Sequence, residues 1–137
     1  MTRLIPALTV LLLVAACNKN SSSKPGLTGK WLQIETYNGT ALGGCGCWTT
    51  VNEFQAEKIE FKSDGTYQKT PPLISSLAYC PGNYRVVNDS TLTWDMNCTG
   101  TLVENTNWFS KEGSILIISY LGPSFNVKRK YKKVNKF

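Results

Sequence analysis

The chain has 137 residues, with 15 Lys and Arg against 9 Asp and Glu, five cysteines and no histidine. The missing histidine excludes catalytic triads and zinc sites built on imidazole, and removes the usual side-chain switch near neutral pH. Behind the first 26 residues stand roughly 110, enough for one domain with a core but not for two.

A single positive charge, Arg3, precedes an apolar run of about 13 residues, Leu4 to Ala16. At about 1.5 Å per helical residue this run is too short to span a bilayer, and it suits the apolar core of a cleaved export signal. It ends in Val14-Ala15-Ala16-Cys17, short side chains directly before a cysteine. This resembles the lipobox of bacterial lipoproteins. The resemblance implies cleavage before Cys17, lipidation of Cys17, and a membrane-anchored life in the bacterial cell envelope, at its periplasmic or outer-membrane face. Several acyl chains on one cysteine anchor stably where a single chain binds only marginally. Residues 1–16 are therefore read as a signal peptide, 17–27 as the lipidated cysteine with a polar, flexible tether, and 28–137 as the folded domain. Without residues 1–16 the balance is 14 basic against 9 acidic residues, a net +5, and Lys128, Arg129, Lys130, Lys132, Lys133 and Lys136 crowd the last ten positions. For an exported lipoprotein this excess points to anionic headgroups or plain solvation, not to nucleic acid.

From Gly29 onward the signals are short strands and tight turns, with no helical pattern. Strands are predicted over 31–37, 57–62, 66–70, 82–87, 90–95, 101–109, 114–120 and 125–134. A glycine-rich connection, 38–53, separates the first two. Ser63-Asp64-Gly65, Asn88-Asp89 and Lys111-Glu112-Gly113 are tight hairpin turns, and Pro71-Pro72 stops the third strand. Eight short strands joined in sequence predict an all-β, eight-stranded, antiparallel up-and-down barrel, wide enough for side chains or one small ligand. Along strand 114–120 the run Ile115-Leu116-Ile117-Ile118 does not alternate, so its outer side is expected to pack under another segment or to mark a dimer face.

Gly29-Lys30-Trp31 opens the first strand as the Gly-x-Trp motif opens lipocalins. Phe61-Lys62-Ser63-Asp64-Gly65-Thr66-Tyr67, Gly82-Asn83-Tyr84 and Thr91-Leu92-Thr93 follow in the expected order. Over about residues 27–134 the chain resembles the lipocalin-like domains of bacterial lipoproteins, although no helix follows the last strand. The resemblance implies a barrel that binds a small, mostly apolar or amphipathic ligand without a cofactor. It also implies that Trp31 plugs the closed end under an arginine from near the end of the barrel, for which Arg129 is the candidate.

In an up-and-down meander the long connections fall at one end of the barrel, and with them Cys45, Cys47, Cys80 and Cys98. An even count in an oxidising compartment predicts disulfides. A Cys45–Cys47 bond closes a very small ring and would leave Cys80 with Cys98, whereas bonds from the first connection to Cys80 and Cys98 avoid that strain and are preferred. A metal held by the four thiolates is not expected where a Cys-x-Cys pair oxidises.

The remaining candidates are aromatic or basic. Tyr67, Tyr84, Trp94 and Trp108 are expected to face the interior, filling it or lining a pocket. Alternation places Arg129 and Tyr131 on one face of the last strand. This Arg-x-Tyr pair resembles the carboxylate clamp of fatty-acid-binding proteins and is set against the alternative that Arg129 stacks on Trp31. Trp48, beside Cys47, is expected to close a lid or to offer an exposed contact. No two carboxylates share a site and no catalytic constellation is present, so the chain reads as a binding protein rather than an enzyme. The other class open to it is a protein-interaction or inhibitor module that meets an envelope protein through its braced loops.

Overall fold

Alternation of apolar and polar residues along short strands requires a sheet with one covered face, and a single meander covers that face by closing on itself. The computed structural model describes residues 26–40, 43–72, 80–96, 103–122 and 125–137. The leader, Cys17, the tether before Gly26 and Cys98 lie outside them. The strands are β1 (Gly29–Asn38), β2 (Cys47–Thr50), β3 (Lys58–Phe61), β4 (Thr66–Thr70), β5 (Cys80–Asn88), β6 (Thr91–Met96), β7 (Val103–Glu112), β8 (Ile115–Gly122) and β9 (Phe125–Val134). Each pairs antiparallel with its neighbour, and β9 returns to β1 from Lys30↔Val134 to Asn38↔Val127. The eight predicted strands are therefore present and closed into a barrel.

The ninth strand, β2, lies inside the connection read as a glycine-rich loop. It pairs with the second half of β1 (Glu35↔Thr50 to Asn38↔Cys47), while β3 pairs with the first half (Gly29↔Phe61 to Leu32↔Lys58). β2 and β3 thus share one wall position, and the count around the barrel stays at eight. The chain leaves that position between Thr50 and Lys58, beside a bulge in β1 between Gln33 and Glu35. Two bonds pin the excursion to the bulge: the Val51 N–H donates to the Ile34 carbonyl (2.9 Å), and the Gln33 N–H donates to the Glu57 carbonyl (2.9 Å).

Inward positions make the core. Trp31, Ile59, Phe61, Tyr67, Leu92, Trp94, Phe109, Leu116, Ile118 and Tyr131 are all buried. Each such side chain contributes about 1.5–3 kcal/mol. Phe61, Tyr67 and Trp94 stack with ring centroids 5.4–6.2 Å apart. On β8, Leu116 and Ile118 point inward, while Ile115 and Ile117 face out and are half-buried opposite Lys132 and Lys130 of β9. Among the described residues, lysines of the same sheet stand beside the outer side of the apolar run.

The lower end, at the tight turns, is closed by Trp31. Its indole N–H donates to the Leu27 carbonyl (2.6 Å), and Leu27 is itself buried. The cation over the indole is Lys133, 5.7 Å from the ring, and not Arg129 as the lipocalin resemblance implies. The register explains the exchange, because Trp31 lies opposite Lys133. Gly29 makes room for it: at φ 129° it disfavours any side chain, and a Cβ there would stand 2.8 Å from the Lys133 stem.

In the lower barrel Asn107, beside Leu92 on β6, keeps its amide nitrogen buried without a hydrogen-bond partner among the described residues. Leaving such a donor unpaired costs about 1–3 kcal/mol. Asn107→Leu is expected to raise the unfolding free energy by about 1 kcal/mol in urea melts. Trp31→Ala is expected to lower it by about 3–5 kcal/mol.

Candidate functional site

Inward alternation on β3 runs back from Phe61 and Ile59 to Glu57, and on β4 it runs forward from Tyr67 to Lys69. On β9 it passes through Arg129 and Tyr131. These four side chains meet inside the barrel above the aromatic core. Glu57 is 4% exposed. One of its oxygens takes the Arg129 guanidinium at 2.5 Å and the Lys69 ammonium at 2.9 Å; the other accepts the Tyr131 hydroxyl at 2.7 Å. The Tyr120 hydroxyl donates in turn to Tyr131 (3.0 Å). The carboxylate is held from behind as well, because its own backbone N–H donates to the Gln33 side-chain oxygen (3.1 Å). The cations lie over aromatic faces: Arg129 is 4.9 Å from the Tyr120 ring, and Lys69 is 5.5 Å from Tyr120 and 5.7 Å from Trp94.

Arg129 and Tyr131 therefore form the carboxylate clamp that their spacing resembles, and the carboxylate in it is the protein's own. The alternative, Arg129 stacked on Trp31, does not occur. Glu57 and Lys69 were not among the sequence candidates, although the signal was present: each sits two residues from a large buried side chain on the same strand face. Charged residues at strand ends read as solvent-facing, and only the closure of β9 on β1 brings Arg129 and Tyr131 to meet these two inside.

The electrostatics follow from two cations against one carboxylate. Burial pushes the Glu57 carboxyl up, but Lys69, Arg129 and the Tyr131 hydroxyl outweigh it, and the net shift is downward from 4.5. Burial and the nearby Glu57 charge both push the Tyr120 and Tyr131 phenols up, so both stay protonated hydroxyls. Lys69 and Arg129 retain 16% and 31% of their side-chain exposure against 6% for Glu57, so the cationic side of the cluster is the accessible one.

Of the aromatic candidates, Tyr67 and Trp94 are buried in the core. Tyr84 packs against Phe61 at 4.8 Å, with its hydroxyl donating to the Lys62 carbonyl (2.9 Å). Trp108 departs from expectation. Asn107 and Phe109 take the inward positions of β7, which turns Trp108 outward at 56% exposure. Of the two expectations for Trp48, the exposed position holds and the lid does not: it sits on β2 on the outer wall, 37% exposed, against Tyr37 (5.5 Å) and Lys130 (4.4 Å).

Cys45 and Cys47 are bonded to each other, with 5.2 Å between their Cα atoms, in place of the preferred bonds to Cys80 and Cys98. Gly46 between them, at φ 63°, turns the chain tightly enough for the two thiols to meet. Its N–H donates to the Asn38 carbonyl (2.9 Å), which holds the small ring on the upper end of β1. Cys80 opens β5 at this same end, its backbone opposite Lys69. The Cys80 side chain and Cys98 lie outside the described residues.

No family model, curated protein or solved structure matches this chain.

Removing the carboxylate leaves two cations facing each other, and Glu57→Gln is expected to cost about 3–5 kcal/mol at neutral pH. Because the folded-state pKa lies below the ordinary value, Glu57 stabilises the fold above about pH 4.5, and that stability is lost as pH falls through the folded pKa. Urea midpoints measured from pH 7 to pH 3 are expected to fall steeply below 4.5 for the native chain and less steeply for Glu57→Gln.

Proposed function

We propose that this chain is a lipid-anchored, lipocalin-like binding protein of the bacterial cell envelope, and that its upper interior receives the acidic head group of a small amphipathic molecule. The observation that carries this reading is the charge imbalance inside the barrel: Lys69 and Arg129 face a single carboxylate, Glu57. A second anion, from a carboxylate or phosphate ester, would neutralise the cluster. Arg129 offers it a planar fork and Lys69 a point charge. In a site of low dielectric such an ion pair is worth more than it is in water.

The packing of the lower barrel supports one orientation of such a ligand. Trp31, Phe61, Tyr67 and Leu116 fill the lower barrel. In this reading the head group stops at Lys69 and Arg129, above that packed floor, and the apolar part stays toward the upper opening. Anchoring through Cys17 keeps such a protein next to the membrane from which amphipathic molecules come. No cofactor or catalytic group enters this scheme, since binding needs only the charge and the rings.

A displacement assay with a fluorescent fatty acid tests the proposal. Lys69→Met is the informative variant because it keeps the Glu57–Arg129 pair and should leave the fold intact. It is expected to weaken binding of the acid about 10- to 100-fold and to leave binding of the matching alcohol unchanged. Equal binding of acid and alcohol by the native chain would rule the head-group site out.

A further inference from the structure

The outer surface carries a second, separate charge pattern. On β9 the outward residues are Lys128, Lys130 and Lys132, and the register sets them beside Tyr37, Glu35 and Leu32 of β1. Lys30 and Lys58 continue the row downward, each within 6 Å of the Phe137 ring (5.3 and 5.7 Å). On the wall of β1, β2, β3 and β9, with the excursion between β2 and β3, five outward lysines thus stand against three acids: Glu35, which pairs with Lys130, Glu60, which lies opposite Lys30, and Glu53 in the excursion. Around the barrel the sign reverses. Among the described residues, β5 to β7 with their turns hold Asp89, Asp95, Glu104 and Glu112 against Arg85 and Lys111.

Aromatic side chains accompany the basic wall. Trp48 is 37% exposed, between Tyr37 and Lys130, and Phe137 is 49% exposed beneath Lys30 and Lys58. The excursion between β2 and β3, which leaves and rejoins this wall, carries Phe54 at 68% exposure. Lysines interleaved with exposed rings match a surface that presents negative charge over an apolar layer, because the ammonium groups meet phosphates while the rings settle at the headgroup level. An acidic protein would satisfy the lysines but would offer no reason for three separate exposed rings spread along the whole wall.

We propose that the β9–β1–β2 wall is a membrane-docking face, on which the barrel lies along an anionic lipid surface. The row from Lys128 to Val134 spans about 20 Å at about 3.3 Å per residue, enough to engage several headgroups at once. The charge reversal around the barrel gives it one preferred orientation on such a surface. This inference is independent of the interior ligand site.

The test uses the full chain with Cys17→Ala, so that no acyl chain contributes, and compares flotation with neutral phosphatidylcholine vesicles against vesicles containing phosphatidylglycerol. The leader and tether are common to every variant, so comparing variants on the same vesicles cancels their contribution. Anionic vesicles are expected to bind more tightly, with the preference vanishing at high salt. The triple variant Lys128→Gln, Lys130→Gln, Lys132→Gln is expected to lower binding to them about a hundredfold. Arg85→Gln with Lys111→Gln, on the other wall, is expected to leave it unchanged. With brominated lipids, tryptophan quenching should drop in Trp48→Phe and persist in Trp108→Phe. Equal binding to both vesicle types, equal losses in the two charge variants, or capture of an acidic polypeptide through these lysines without vesicle binding would overturn the assignment.

Discussion

The buried carboxylate of Glu57 is the contact on which the upper half of this barrel depends. It joins three parts of the chain that are distant in sequence: the segment entering β3, the end of β4 through Lys69, and the last strand through Arg129 and Tyr131. An isolated charge in this position would be expelled or neutralised, so the carboxylate stands here only because cations and a hydroxyl face it. It also closes the barrel from inside. The β1–β9 seam is held by backbone pairing on the wall and by Glu57 reaching Arg129 inside, and the Gln33 N–H, next to the bulge, holds the Glu57 backbone in place.

The two ends of the barrel follow from different physics. Below, large apolar and aromatic side chains fill the space, Trp31 is tied to Leu27, and Lys133 crosses Gly29 to cap it. Above, the interior turns polar and carries an excess of positive charge that remains partly open. The floor is thus packed and apolar, and the ceiling charged. The outer wall repeats the theme with different residues, lysines and rings on one side and carboxylates on the other. The basic character of the last ten residues is thereby divided: Arg129 works inside, Lys133 at the floor, and Lys128, Lys130 and Lys132 outside.

Much of this architecture was legible residue by residue. Turn chemistry at Ser63-Asp64-Gly65 and Asn88-Asp89, with period-2 alternation between the turns, placed all eight wall strands and the closure. Tyr67, Tyr84 and Trp94 were correctly assigned inward because each sits in an alternating frame. Trp108 was misassigned for a physical reason: Asn107 and Phe109 flank it, and one polar and one apolar neighbour leave the frame ambiguous until the strand is paired. Trp48 misled in another way, since glycines around it masked a short strand that exists only because β1 offers a free edge above its bulge. The Arg129–Tyr131 spacing pointed to a carboxylate, but spacing within one strand cannot say whose carboxylate it is.

The sequence by itself therefore determined what depends on local pattern: an all-β meander, the positions of its turns, the aromatic floor, and the gathering of Cys45, Cys47 and Cys80 at one end. Closure of the barrel decided the rest. Which charges meet inside, which lysine covers Trp31, and how five outward lysines come to share one wall are set by register across strands far apart in the chain. A side chain's face is fixed by its own strand's alternation, whereas its partners are fixed by the neighbouring strand, and no window of contiguous residues contains both.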